Sequence, residues 1–135
     1  MEASHDLPII LIVEDELFIR MMAVDILSDM GMAVVVHEAG CAEEALQVLR
    51  CHSNISLLFT DIDMPGEMNG LALAALVHEQ WPETALIVTS GGRLLGNGEV
   101  PDAGTFLPKP YRASELENLV HEKLAQHGVK TGRDC

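Results

Sequence analysis

Short apolar runs alternate with longer amphipathic stretches along the chain. Residues 8–13, PIILIV, are continuously apolar and rich in β-branched side chains, which predicts a strand buried on both faces. Residues 16–30 carry Phe18, Met21, Met22, Ile26 and Met30 near helical spacing, with Gly31 placed to cap the end. A second strand is predicted over 33–36. A helix follows over 42–51, with Ala45, Leu46, Val48 and Leu49 as its stripe. Residues 55–59 predict a third strand, and 70–80 a third helix stopped by Trp81-Pro82. Residues 85–88 and 105–107 predict two more strands. The last helix, over 114–126, has an apolar stripe of Leu116, Leu119, Val120 and Leu124, and Ser114 and Glu117 stand at capping-box spacing. Strands and helices alternate, and most strands lack in/out alternation. The pattern therefore predicts one α/β domain, a parallel sheet covered by helices on both faces, over 8–127 with tails at 1–7 and 128–135.

Composition narrows the classes. With 135 residues, 48% of them apolar and 21% charged, the chain fits one folded domain rather than a disordered segment. Eight Lys+Arg against 21 Asp+Glu give a net charge of −13, which disfavours nucleic acid and anionic membrane surfaces as partners. No uninterrupted apolar run approaches the ~20 residues of a membrane helix, and MEASHD has no basic, then apolar, leader pattern. Cys41, Cys51 and Cys135 form no CxxC, and the six histidines stand at unrelated spacings. A cytoplasmic protein with no cysteine or histidine metal site is expected.

The predicted strand ends carry unusual chemistry. Glu14-Asp15 follow the first strand, Asp61 the third, Thr89-Ser90 the fourth and Lys109-Pro110 the fifth. Taken singly each is ordinary, because an aspartate after a strand commonly caps a helix and a lone lysine commonly faces solvent. In an open α/β sheet, however, ligand sites form at the carboxyl ends of the strands. Neighbouring strands would bring three carboxylates, a hydroxyl and an ammonium to one edge. Close carboxylates repel unless a cation neutralises them, and oxygen donors without His or Cys suit Mg²⁺, Mn²⁺ or Ca²⁺. A lysine suits a phosphoryl oxygen, and a carboxylate can itself be the nucleophile of phosphoryl transfer. The set predicts a Mg²⁺-assisted phosphoacceptor site.

At these residues the sequence resembles the receiver domain of two-component response regulators. The resemblance covers about residues 8–127 and is carried by LIVEDE around Glu14-Asp15, LLFTDIDMPG around Asp61, ALIVTSG around Ser90 and FLPKPY around Lys109. It implies a flavodoxin-like, doubly wound sheet of five parallel strands in the order 2-1-3-4-5. It also implies phosphoryl transfer to Asp61 from the phosphohistidine of a sensor histidine kinase or phosphotransfer protein. By position, Asp15 is the direct Mg²⁺ ligand, Glu14 acts through water, and Asp61 and the backbone carbonyl of Asp63 complete the set, with Mn²⁺ as a substitute cation. Lys109 would pair with phosphoryl oxygens, and Lys109-Pro110 would be cis. Ser90 is the expected hydroxyl of the fourth strand by spacing, with Thr89 the alternative. Phe106, three residues before the lysine, matches the aromatic switch position, although an ordinary core aromatic also fits it. The type implied is a stand-alone receiver, monomeric or weakly dimeric, that signals to a downstream protein by contact and catalyses only its own phosphorylation and dephosphorylation. A receiver excised from a longer protein is the alternative.

Three features depart from the family pattern. The loop MPGEMNG after Asp61 is one residue longer than is common. Asp63 adds a carboxylate two residues beyond the acceptor, where side chains influence phosphoryl lifetime. Residues 91–104 contain Gly91, Gly92, Gly96, Gly98, Gly104 and Pro101, which predicts that the helix between the fourth and fifth strands is shortened or absent and replaced by a mobile loop. An order change in that loop is the expected output. Two rival classes remain: an interaction module of the same fold that is never phosphorylated, and a phosphatase of the haloacid dehalogenase type suggested by Asp61-Ile62-Asp63. In those phosphatases the DxD follows the first strand, whereas here it follows the third.

Overall fold

The structure is a computed structural model that describes residues 7–52, 54–92, 100 and 104–134, with 126–134 described by backbone alone. Five strands, β1 (Ile9–Val13), β2 (Val35–Ala39), β3 (Leu57–Asp61), β4 (Ala85–Ser90) and β5 (Thr105–Pro108), alternate with helices α1 (Leu17–Ser28), α2 (Ala42–Cys51) and α3 (Gly70–Gln80); α4 (Ala113–Asp134) follows β5. The strands form one parallel sheet in the order β2-β1-β3-β4-β5, as expected.

Alternation along each strand feeds two separate cores. Ile10 and Ile12 of β1, with Leu57 and Phe59 of β3, pack on one face against Ala23 and Leu27 of α1 and Leu116 and Val120 of α4. Leu11, Val13 and Leu58 pack on the other against Ala45 and Leu49 of α2 and Leu73 and Val77 of α3. Burying both faces explains why β1 and β3 read as continuous apolar runs.

The strands end later than the apolar pattern predicts. β2 lies over Val35–Ala39 rather than 33–36: it is an edge strand, and the partly exposed His37 and exposed Glu38 hide its continuation. β3 ends at Asp61 rather than at 59 because Thr60 and Asp61, although polar, stay in the ladder and pair with Val88 and Thr89. Likewise β4 runs on to Ser90.

The helices also differ in detail. α1 ends at Ser28, and Gly31 adopts a left-handed φ of 79° in the turn that follows. Its inward face is Ala23 and Leu27, whereas Phe18 (80% exposed), Met22 (62%) and Met21 (49%) face out. Apolar residues surround this helix, so spacing alone selects no face, and the small Ala23 takes the close approach to the sheet. α4 begins at Ala113, one residue before the predicted start. Its start is held by Glu115 Oε1 accepting from the Arg112 amide at 2.7 Å, one half of a capping box, rather than by Ser114 and Glu117. The helix continues past 127 through Gly128, whose cost in a helix is only about 1 kcal/mol. Among the described residues the fourth helix in chain order is the one after β5. The expected loop over 91–104 falls largely on 93–99 and 101–103, which lie outside the described residues.

Candidate functional site

The carboxyl edge of the sheet collects the chemistry. β1 delivers Glu14 and Asp15. The Glu14 amide continues the ladder by donating to the Ala39 carbonyl at 3.0 Å, and the residue is 4% exposed. Next to it β3 ends in Asp61, also 4% exposed, and the following amide, Ile62, donates to the Thr89 carbonyl at 2.9 Å. One carboxylate oxygen from each of Glu14, Asp15 and Asp61 lies within 4.8 Å of the others. Glu14 and Asp61 are buried and Asp15 is exposed.

Lys109, just past β5, holds the two buried carboxylates. Its Nζ donates to Glu14 Oε1 at 3.1 Å and to Asp61 Oδ2 at 3.3 Å. Each carboxylate is held again through its second oxygen: Glu14 Oε2 accepts from the Glu16 amide at 3.2 Å, and Asp61 Oδ1 from the Asp63 amide at 3.2 Å. The Lys109 amide is anchored on the Ser90 carbonyl at 3.1 Å, and the Lys109-Pro110 bond is cis. Burial raises the Glu14 carboxyl above its usual range; the Lys109 and Glu16 hydrogen bonds oppose this, and the Asp61 charge adds to it. Burial pulls the Lys109 ammonium down, but the two carboxylates more than offset this and leave it raised. Burial also raises the Tyr111 phenol, whose ring meets Phe59 edge-on with centroids 5.8 Å apart.

The β3–β4 register separates the two candidate hydroxyls. Thr89 pairs directly with Asp61, so both stand on the face shared with Ile87 and Phe59. Its Oγ1 is buried and has no hydrogen-bond partner among the described residues. Ser90 belongs to the opposite face. Its hydroxyl donates to Asp63 Oδ2 at 2.5 Å and accepts from the Gly92 amide at 3.1 Å, which ties the loop after β3 to the loop after β4. Phe106 pairs with Val88 and packs, partly buried, on the α2–α3 side of the sheet.

Three residues escaped the reading of the sequence. Gly70 opens α3 against the end of β3, where a Cβ would lie 1.9 Å from the Asp61 carbonyl oxygen. Asn69 caps the helix by accepting from the Ala72 amide at 2.9 Å, so Asn-Gly at a predicted helix start was the available signal. Arg20, one turn into α1, donates to the Glu14 carbonyl at 3.0 Å.

Three close carboxylates facing one ammonium leave the cluster negative. Their hard oxygen donors, with no imidazole or thiolate in the group, match what Mg²⁺ or Mn²⁺ requires. No helix among the described residues is long and apolar enough to cross a membrane.

Comparison with known proteins agrees with this geometry. An uncharacterized response regulatory protein of Vibrio cholerae serotype O1 is 26% identical over 117 residues, which are 87% of this chain and 48% of the relative; the chain spans about half the length of that protein. The signal receiver domain of an HD domain-containing protein from Pseudomonas fluorescens Pf-5 superposes with a TM-score of 0.78 at 27% identity, covering 91% of this chain and 98% of that one. The receiver domain of the hybrid histidine kinase CckA is 32% identical, with a TM-score of 0.72, over 86% of this chain and 98% of its own. The family description that matches is the response regulator receiver domain, over residues 10–121. With a five-stranded 2-1-3-4-5 sheet and an acidic cluster at its carboxyl edge, the chain belongs to the response regulator receiver domain family, a family of signalling domains.

Proposed function

We propose that Asp61 accepts a phosphoryl group from the phosphohistidine of a histidine kinase or phosphotransfer protein, and that the chain then signals by contact with a downstream protein. The observation that carries this reading is the Lys109 bridge between Asp61 and Glu14, with the Asp15 carboxylate beside them. In the transfer one Asp61 oxygen bonds to phosphorus as the donor's P–N bond breaks, and the imidazole keeps the bonding pair. Asp15, Asp61 and the Asp63 carbonyl would hold Mg²⁺, with Glu14 acting through water. When bound, the ion supplies charge neutralisation between the carboxylate and the incoming phosphoryl oxygens. Lys109 already stands 3.3 Å from one Asp61 oxygen, so it can follow the new negative charge without a large movement.

The unpartnered Thr89 hydroxyl, on the face of Asp61, is the better candidate for a phosphoryl contact than Ser90, which is committed to Asp63 and Gly92. A buried hydroxyl without a partner costs about 1–3 kcal/mol, a cost that a phosphoryl oxygen would relieve. Ser90 instead positions Asp63 beside the acceptor, where its carboxylate would influence attack by water on the acyl phosphate. The donor must land next to the site. α1 starts two residues after Asp15 and presents Leu17, Phe18, Met21 and Met22 as two exposed i, i+4 pairs, an apolar surface suited to a helical donor.

The test is labelling by a small acyl phosphate with intact-mass detection. One phosphoryl group is expected in Mg²⁺, none in a chelator, and none on Asp61→Asn. Labelling of Asp61→Asn equal to wild type would refute the assignment. Lack of labelling of the wild type by both the small donor and phosphohistidine proteins would favour the unphosphorylated interaction module.

A further inference from the structure

Arg20 reaches back from α1 to the end of the sheet. Its Nη1 donates to the Glu14 backbone carbonyl at 3.0 Å, and its Nε to Glu38 Oε1 on the edge strand β2 at 3.2 Å. Gly40, just past β2, leaves the guanidinium its space: a Cβ there would lie 3.0 Å from Arg20 Nη1 and 3.4 Å from Glu44 Oε1. The Gly40 amide itself donates to that Glu44 oxygen at 2.7 Å. Through this guanidinium α1 is tied both to the edge strand β2 and to the carbonyl at the end of β1.

That carbonyl belongs to the peptide plane joining Glu14 to Asp15. Because the plane is rigid, holding its oxygen limits ψ of Glu14 and φ of Asp15, and so the direction in which Asp15 projects its side chain. The other two carboxylates are held through their side chains, by Lys109 and by the Glu16 and Asp63 amides. The Asp15 carboxylate is exposed and makes no hydrogen bond or ion pair among the described residues. Its place in the cluster rests on the backbone.

We infer that Arg20 is a positioning residue for the cation site: by holding the Glu14–Asp15 peptide it aims the Asp15 carboxylate at the position shared with Glu14 and Asp61. This rests on the reading that the three carboxylates hold Mg²⁺. The sign of the effect separates positioning from simple electrostatics. A guanidinium repels a cation, so if charge alone mattered, removing it would tighten Mg²⁺ binding. If positioning dominates, removing it weakens binding.

The experiment is Mg²⁺ titration of the whole chain followed by backbone amide chemical shifts, whose dispersion also reports that each variant is folded. Arg20→Ala is expected to weaken Mg²⁺ about tenfold, the lower end of what loss of an outer-shell partner costs. It should also speed amide exchange at Asp15 and Glu16 in the metal-free protein. Gly40→Ala, which crowds the guanidinium without removing it, should shift affinity the same way, and it carries the test if Arg20→Ala does not fold. In the Asp15→Ala background Arg20→Ala should cause no further loss, because the residue it positions is gone and only the guanidinium's repulsion of the cation is removed. Wild-type or tighter Mg²⁺ binding by Arg20→Ala, or an equal loss with and without Asp15, would overturn the inference while leaving the proposed phosphoacceptor intact. A wild-type chain that shows no saturable Mg²⁺ shifts would end both.

Discussion

Gly70→Ala sets two physical effects against each other. Helix propensity favours alanine over glycine by about 1 kcal/mol in a helix interior, and by less at the first residue of α3. Sterics oppose it. The new Cβ would lie 1.9 Å from the Asp61 carbonyl oxygen, 2.7 Å from its carbon and 2.8 Å from the Ile62 Cα. All three are backbone atoms, so no side chain can swing aside. A comfortable carbon–oxygen contact is about 3.3 Å, so α3 and the end of β3 must separate by about 1.4 Å. The Gly70 amide bond to the Ile62 carbonyl, 2.9 Å long, would be stretched by that movement. Overpacking of this kind costs about 1–3 kcal/mol, and a backbone-on-backbone clash belongs at the upper end. After the propensity gain the expected net loss is about 2 kcal/mol, or a urea midpoint lower by about 1 M. The strain falls on Asp61, the proposed acceptor, so labelling by a small acyl phosphate in Mg²⁺ should slow as well. Urea unfolding and intact-mass kinetics on the same samples measure both. A variant as stable as wild type that labels at the wild-type rate would show that the contact is not the constraint described.

Other substitutions follow from the same site. Lys109→Ala leaves Glu14 and Asp61 facing each other without a cation; it should destabilise the metal-free protein by about 3 kcal/mol, the low end for losing one partner of a buried ion pair because Lys109 is partly exposed, and urea unfolding with Mg²⁺ should recover part of that loss. Thr89→Ala relieves the unpartnered hydroxyl, worth about 1–3 kcal/mol, but also deletes a buried methyl, worth about 1 kcal/mol, so stability should be unchanged or rise by up to about 2 kcal/mol, while comparison of amide shifts before and after phosphorylation should show a reduced conformational response. Ser90→Ala removes one hydrogen bond from Asp63 and should change the decay rate of the acyl phosphate; a rate identical to wild type would deny the Ser90–Asp63 bond any part in its lifetime. The Glu14 carboxyl is raised above 4.5 in the folded state, so the fold binds its proton more tightly than the unfolded chain does. Relative to Glu14→Gln, the wild type should therefore lose stability as pH rises from about 4.5 through the folded value and level off above it, as read from chelator-treated denaturation curves.

The strand–helix order and the acidic edge were legible because β1 and the first part of β3 are buried on both faces and read as short apolar runs leading into the carboxylates; the sheet order came from the resemblance to receiver domains, which the topology bears out. The ends of β3 and β4 were not, because Thr60, Asp61, Thr89 and Ser90 are polar residues inside a ladder, and an apolar pattern stops short of them. Spacing favoured Ser90 over Thr89, but the face a strand residue occupies depends on its pairing register, which here matches Thr89 to Asp61. The inward face of α1 was hidden by apolar side chains all round the helix. Gly70 and Arg20 act through backbone contacts between elements distant in sequence, and such contacts leave little local signature.

The outward apolar face of α1 also bears on how the molecule behaves in concentrated solution. Phe18, Met21 and Met22 would favour sticking between copies, while a net charge of −13 holds copies apart. That repulsion reaches about 30 Å at 0.01 M salt but only about 3 Å at 1 M, whereas apolar attraction does not fade with salt. Ionic strength should therefore control any self-association: dilute buffer is expected to keep the chains dispersed and concentrated salt to favour contact between α1 faces, as light scattering across a salt series would report.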